Sequence, residues 1–217
     1  MTDLLPLFVN LTGRRVVLVG GGPVASAKLT QLLAAGADVH VVAPEIHEDV
    51  VKAAVAISRR QFVPADLDGA WLVVAAATPD VNRSVAAAAE GRQLFVNAVD
   101  DPANATAFLS GVVRRDGVTL AISTSGDAPG LTALLREALD AVLPRDLGAW
   151  VREALRQRAA WKEDSVPMSK RRPLLLEALN RLYRSTAEPV ERDGDPLVHS
   201  ADSASSGFDR RGGDRHA

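Results

Sequence analysis

Two adjacent aspartates, Asp100 and Asp101, follow the apolar run Leu94-Phe95-Val96-Asn97-Ala98-Val99. In open α/β sheets, ligands bind beyond the carboxyl ends of the strands, and these carboxylates would stand there. A carboxylate so placed can accept a proton while a hydride leaves the substrate for a nicotinamide. The same residues also suit a plain turn, with an aspartate capping the segment that Pro102 begins, and spacing alone does not choose between the two. Thr78 ends the preceding apolar run and is placed to contact the ribose or nicotinamide side of such a cofactor.

A cofactor of that kind is suggested by Gly20-Gly21-Gly22, which breaks the β-branched run Val16-Val17-Leu18-Val19 and opens a helical pattern. The form is Gly20-x-Gly22-x-x-Ala25. In a dinucleotide-binding turn the first glycine permits the bend, and the second lets the backbone approach a pyrophosphate. The small third residue lets the helix pack against the strand. The pyrophosphate would sit at the positive end of the helix. No Gly-Lys-Ser/Thr follows, which argues against a triphosphate site. An acidic residue is needed about 20 residues further on for the adenosine ribose, and Glu45 stands near that place after Ala43-Pro44. With no arginine close by in sequence, NAD is favoured over NADP. The competing reading makes Glu45 a solvated helix-start residue.

The elements that must hold these residues alternate between strand and helix. Strands are expected at about 15–20, 39–42, 57–60, 71–77 and 94–99. Helices are expected at about 25–35 (stopped by Gly36), 48–55 and 82–90. This alternation with short connections implies a parallel, doubly wound, Rossmann-like α/β sheet. The pattern then changes. Two strands, 108–113 and 119–124, flank the turn Arg114-Arg115-Asp116-Gly117. A helix runs from about 127 to 142, and helices alone follow at about 145–161 and 173–184. Residues 186–217 are polar and poor in apolar types, and are expected to be disordered.

Composition removes several classes. The 217 residues contain no cysteine, so disulfides, thiolate nucleophiles and iron–sulfur sites are excluded. The histidines are His40, His47, His199 and His216, and they form no ligand-spaced cluster, so no metal site is assigned. Neither a secretory signal nor an apolar run of the ~20 residues that span a bilayer is present, so no membrane partner is expected and a cytoplasmic protein is the default. The formal net charge is only -2, yet residues 145–185 hold ten Lys/Arg against five Asp/Glu. That suits a polyanion, nucleic acid or a small polycarboxylate, or simply a solvated helical surface. Without interleaved aromatics, nucleic acid is not the expected partner.

Several stretches in order are more specific than any one of them. They are Leu5-Pro6-Leu7-Phe8, Gly13-Arg14, Val19-Gly20-Gly21-Gly22-x-Val24-Ala25-x-x-Lys28, and Ala35-Gly36-Ala37-x-Val39-x-Val41-Val42-Ala43-Pro44-Glu45. Then follow Ala75-Ala76-Ala77-Thr78, Asn97-Ala98-Val99-Asp100-Asp101-Pro102, and Ile122-Ser123-Thr124-Ser125-Gly126-x-x-Pro129-x-Leu131. Together they resemble the precorrin-2 dehydrogenase/sirohydrochlorin ferrochelatase family of the siroheme synthase N-terminal type. The resemblance covers residues 4–140 and, more loosely, the helices to about 185.

The resemblance implies an NAD-binding domain over 1–112, a small α+β region at 113–144 that pairs two subunits, a helical domain at 145–185, and the tail 186–217. It implies backbone contacts to NAD from Pro23, Val24, Pro44 and Glu45. Asp100, at the end of the family's Asn-x-x-Asp motif, becomes the proton acceptor. NAD⁺ takes a hydride from precorrin-2 to give sirohydrochlorin, and in bifunctional members Fe²⁺ then replaces two pyrrole protons. The eight carboxylates of the tetrapyrrole would give the basic helices a partner. Because the fused synthases carry a methyltransferase after this part, the chain looks like a stand-alone form or a truncated relative. Departures from the family pattern are Ala27 for arginine, Phe108-Leu109-Ser110-Gly111 for Phe-x-x-Pro, and Ala128-Pro129-Gly130-Leu131-Thr132-Ala133 for Ser-Pro-x-Leu-Ala-Arg. The rival from another class is a non-enzymatic NAD-sensing module, which would need neither the Asn97-to-Asp100 motif nor the basic helices. A chelatase working without NAD is the third reading.

Overall fold

The computed structural model describes residues 4–109 and 111–186, so the expected disordered tail lies outside the described residues beyond Thr186. Five parallel strands form one sheet: β1 (Arg15–Val19), β2 (Asp38–Val42), β3 (Ala56–Ser58), β4 (Leu72–Ala75) and β5 (Phe95–Ala98), in the order β3-β2-β1-β4-β5. The order reverses between β1 and β4, so a crevice opens there beyond the carboxyl ends of the strands. α1 (Pro23–Ala34), α2 (Glu48–Lys52) and α3 (Pro79–Glu90) are the crossovers.

The near-continuous apolar runs follow from burial on both faces. Val16, Leu18, Val39, Val41 and Val74 pack with Ala25, Leu29 and Leu32 of α1 and Val50 of α2. Their neighbours Val17, Val19, Val42, Val73 and Ala75 point the other way, onto Val85 and Ala89 of α3 and Leu67. Because successive side chains change faces, a slip of one residue in β1 would exchange the two cores.

The sheet has the expected doubly wound form; β1, β3, β4, β5 and α2 are shorter than the sequence suggested, whereas β2, α1 and α3 begin one to three residues earlier. α1 ends at Ala34, and Gly36 follows in the left-handed region at φ 74°, its N–H on Leu33 O. β3 stops at Ser58 rather than Arg60, because the Arg60 N–H turns back onto Ser58 O and leaves the ladder. α2 stops at Lys52, since Ala54 adopts φ 53°.

Past the sheet, β6 (Gly111–Arg115) and β7 (Val118–Ile122) form an antiparallel hairpin. They lie later and earlier, respectively, than the sequence suggested. The cause is the two-residue loop Asp116-Gly117, both at positive φ, which brings Arg115 and Val118 into register opposite each other. α4 (Pro129–Val142) packs on β6. Arg115 ties the hairpin to the end of α4 by donating to Leu143 O at 2.7 Å and to Asp140 Oδ1 at 2.7 Å. Asp116 accepts from Gly148 N at 3.0 Å.

α5 (Leu147–Glu163) and α6 (Met168–Thr186) complete the described chain. By contacts the chain divides at Arg156/Gln157 into two compact units. Within the second, Trp161 and Ala178 are buried. α6 begins five residues before Pro173, which therefore lies inside the helix rather than in its first turn. The helix is started upstream by the Lys170 N–H on Pro167 O, with Arg171 Nε donating to Val166 O at 2.9 Å. Among the described residues, no helix is long and apolar enough to cross a membrane.

Candidate active site

The three glycines after β1 are required for different reasons. Gly20 has φ 126°, and a Cβ there would lie 2.2 Å from Ala76 O at the end of β4. Gly21, which the fingerprint leaves free, is as constrained: its Cβ would stand 2.0 Å from Glu45 O, and its own carbonyl accepts from His47 N at 2.7 Å. Gly22 caps α1, and a Cβ there would meet nothing within 4 Å. Packing within the chain thus explains the first two glycines and leaves Gly22 facing open space. Pro23 begins the helix with no N–H to lose. Ala25 is fully buried, which lets α1 lie close to β1.

Around this turn, Pro44 and Glu45 follow β2 with exposed side chains, and the Glu45 carbonyl is the atom that faces Gly21. Thr78 precedes α3 with an exposed side chain that makes no capping bond. The turn into α3 is instead held by Asn82, four residues past Thr78. Only 3 % exposed, it accepts from Ala77 N at 3.1 Å and donates to Val99 O at 3.4 Å, joining the ends of β4 and β5. A polar residue inside an Ala-rich helix was the available signal.

Two clefts meet at Asp100. The first, about 450 Å³, lies over the β4 and β5 ends between Val24 of α1 and Pro79 and Arg83 of α3. The second, about 540 Å³, lies between α1, the β5 end, β6 and α4. Val99, Asp100 and Asp101 line both. Asp100 is exposed and sits at φ 56°, a conformation in which aspartate is one of the few tolerated side chains. Asp101 accepts from Asn104 Nδ2 at 2.8 Å. Asn97 is buried in the floor: its Nδ2 donates to Ala107 O at 3.0 Å, while its Oδ1 has no partner among the described residues.

The second cleft is lined by Lys28, Arg114 and Arg136, from three elements that are distant in sequence. Burial pushes the Lys28 ammonium below the usual lysine range, and the field of Asp100 partly opposes it. Lys28 was visible only as a residue matched in a pattern. Arg114 and Arg136 carried no sequence signal, because the hairpin and α4 had to be folded before they could converge. Among the described residues, no group of three or more His, Asp or Glu could hold a metal ion.

Residues 7–111 match a family model described as putative NAD(P)-binding. The siroheme synthase of Photorhabdus laumondii is 40 % identical over 183 residues, 82 % of this chain and 39 % of that one. Siroheme synthase 3 of Aeromonas hydrophila is 38 % identical over 214 residues, 94 % of this chain and 46 % of its own length. The solved structure titled "SirC, precorrin-2 dehydrogenase" superposes with a TM-score of 0.65 at 25 % identity, covering 85 % of this chain and 94 % of that one. The chain belongs to the precorrin-2 dehydrogenase family of the siroheme synthase N-terminal type. It spans less than half the length of these curated relatives. The family fold accounts for the Rossmann-like sheet followed by the small hairpin-and-helix layer.

The residues fit a dinucleotide. Gly22 leaves its space open at the start of α1, and the first cleft continues from that helix to Asp100. Pyrophosphate on the helix N-terminus and nicotinamide over the β4 and β5 ends is the arrangement such a crevice serves.

Proposed function

We propose that the chain is an NAD-dependent dehydrogenase that converts precorrin-2 to sirohydrochlorin. The observation that carries this reading is the position of Asp100, on the wall common to a dinucleotide-sized crevice and a second, cation-lined cleft. A hydride-transfer enzyme needs both, with a proton acceptor between them. A module that only senses NAD needs the first cleft alone.

NAD⁺, when bound, supplies the hydride acceptor. Gly20, Gly21 and Gly22 shape the turn that receives it. Pro23 and Val24 approach it from α1, Pro44 and Glu45 face its adenosine end, and Thr78 its ribose or nicotinamide side. Asp100 takes the proton that the macrocycle releases, and the second cleft holds the macrocycle's carboxylates. Incubation with precorrin-2 and NAD⁺ should yield NADH and the sirohydrochlorin spectrum in equal amounts. Absence of both from folded protein would refute the reading.

A second step with Fe²⁺ as substrate is favoured by Asp101, which lines the same two clefts beside Asp100. Insertion displaces two pyrrole protons, and two adjacent carboxylates can receive them. Adding Fe²⁺ after the first reaction and recording the siroheme spectrum tests it.

The partner proposed for assembly is a second copy. α4 turns Pro129, Thr132, Ala133 and Arg136 to the cleft. Its other face exposes Leu131, Leu134, Leu135, Leu139 and Val142, the last by 80 %. An uncovered apolar helix face of this length marks an interface. The division into an NAD domain, a pairing region and a helical domain at 1–112, 113–144 and 145–185 is part of the same proposal. Leu134→Glu should convert a dimer to a monomer by sedimentation, and a wild-type monomer would contradict the assembly.

A further inference from the structure

The face of α1 that starts at the glycine turn does not end at the cofactor. Val24, Lys28 and Gln31 follow one another at helical spacing. Val24 lines the first cleft, and Lys28 and Gln31 line the second. Lys28 is half-buried, and no ion pair or hydrogen bond holds its ammonium among the described residues. The nearby charge that acts on it is Asp100. A partly desolvated cation without a partner is costly to keep, and a ligand carboxylate would relieve that cost through a short, charge-assisted hydrogen bond.

Two other cations face the same space. Arg114, on β6, is exposed and unpaired among the described residues. Arg136, on α4, makes one contact at 3.2 Å to its neighbour Glu137, and that pair is exposed. Cations on three walls of a cleft of about 540 Å³ suit a ligand with carboxylates spread around its rim. Lys28 is half-buried, and Asp100 acts on it.

We infer that Lys28 is a positioning residue: it anchors one substrate carboxylate beside Asp100 and so sets which edge of a polycarboxylate macrocycle faces the proton acceptor, with Arg114 and Arg136 holding carboxylates further along the cleft. The inference rests on the dehydrogenase reading for its substrate, but it can be measured without turnover. An anchor on α1 also links the two ligands mechanically, because the helix that receives the pyrophosphate at its first turn carries the substrate contact one turn later.

The test uses the full chain with Lys28→Met, Lys28→Arg and, as a surface control, Lys52→Met on α2. Two readouts are taken. One is binding of uroporphyrin, an octacarboxylate, by fluorescence quenching at low and high salt. The other is steady-state oxidation of precorrin-2. Lys28→Met should weaken uroporphyrin binding and raise the KM for precorrin-2 about tenfold, with kcat and the NAD⁺ affinity changed less than about threefold. Lys28→Arg should recover most of the loss, and the wild-type advantage should shrink in high salt. Thermal melting shows whether each variant is folded. If Lys28→Met fails to fold, the Lys28→Arg variant and the salt series still decide: salt-insensitive binding overturns the anchor. Unchanged binding and KM in folded Lys28→Met overturn it as well. A fall in kcat with KM unchanged overturns it too, since Lys28 would then act on the reacting atoms. If wild-type protein binds uroporphyrin through Lys28 yet oxidises no precorrin-2, the anchor stands and the dehydrogenase reading fails.

Discussion

The cofactor-side cleft owes its shape to backbone, whereas the cleft across Asp100 owes its shape to side chains. In the first, Gly20 and Gly21 are pressed against the carbonyls of Ala76 and Glu45, and Gly22 is left open. In the second, Lys28, Arg114 and Arg136 arrive from α1, β6 and α4, over a hundred positions of chain. A backbone-built site needs particular residues at fixed, short spacings, because a turn tolerates only a few dihedrals. A side-chain-built site needs only that some element carries a suitable group to the right wall. The first kind constrains the sequence locally and the second does not.

That contrast is tested most severely at the residue common to both clefts. Asp100→Asn keeps a side chain that tolerates positive φ and removes the proton acceptor. Turnover of precorrin-2 should fall by about 10²–10⁴-fold, while NAD⁺ affinity and melting temperature stay near wild type. A variant that keeps its rate would return Asp100 to the role of a turn residue.

Next come the glycines, where the two kinds of constraint separate within two residues. Gly21→Ala forces a methyl onto the Glu45 carbonyl and should destabilise the fold by about 1–3 kcal/mol, as overpacking does. Gly22→Ala meets no protein atom within 4 Å and has extended backbone, so its melting temperature should fall only by the small cost of alanine at a helix N-cap, less than that of Gly21→Ala. Its NAD⁺ affinity should fall about tenfold, or ~1.4 kcal/mol, because the methyl enters the space kept for the ligand. Equal effects on stability from both variants would break the distinction.

This division also explains what was legible beforehand. The five parallel strands, the crossover helices and the glycine turn are local patterns of period two, period 3.6 and abrupt glycine, and each could be read from a short window. Asp100 could be located but not weighed, because a turn and a proton acceptor have the same sequence. Arg114 and Arg136 could not be found, and the packing roles of Gly21 and Asn82 could not be read, since the atoms that give them meaning, the walls of the second cleft, Glu45 O and Val99 O, are far away in the chain. The basic helices at 145–185 drew attention by density of charge, yet the cations that line the cleft come from elements with one or two each.

The second cleft does leave one coupled trace in the sequence. Where the family resemblance implies proline and alanine, this chain has Gly111 and Thr132. A Cβ on Gly111 would lie 2.8 Å from the Thr132 methyl, whose hydroxyl is bonded to Thr124 Oγ1 at 2.9 Å. The two departures therefore compensate: the threonine occupies the space that glycine vacates. Gly111→Ala should cost about 1–2 kcal/mol by thermal or denaturant unfolding. Thr132→Ser, which removes the methyl and keeps the hydroxyl, should restore part of that in the double variant. Additive effects would show that the two positions do not share the space.

The smallest effect concerns a side-chain clasp on the backbone-built half, and it marks where the contrast stops. Asp66 is 5 % exposed and accepts from Arg60 through both guanidinium nitrogens and from Val63 N at 2.9 Å. The Arg60 hydrogen bond holds its carboxyl below the usual aspartate range, against the opposing effect of burial. A carboxyl whose folded-state value is depressed binds fewer protons folded than unfolded. Its contribution is therefore fully present above the unfolded value of about 4 and is lost as pH falls below it toward the folded value. Melting temperature should decline through that acid window in wild type, and Asp66→Asn should flatten the decline while lowering stability at neutral pH. The Arg60 side of the pair is half-exposed, so the difference should be modest. Uroporphyrin binding at neutral pH should not change, because Asp66 touches neither cleft wall. If it does change, the cofactor half and the cation-lined half are coupled through more than α1.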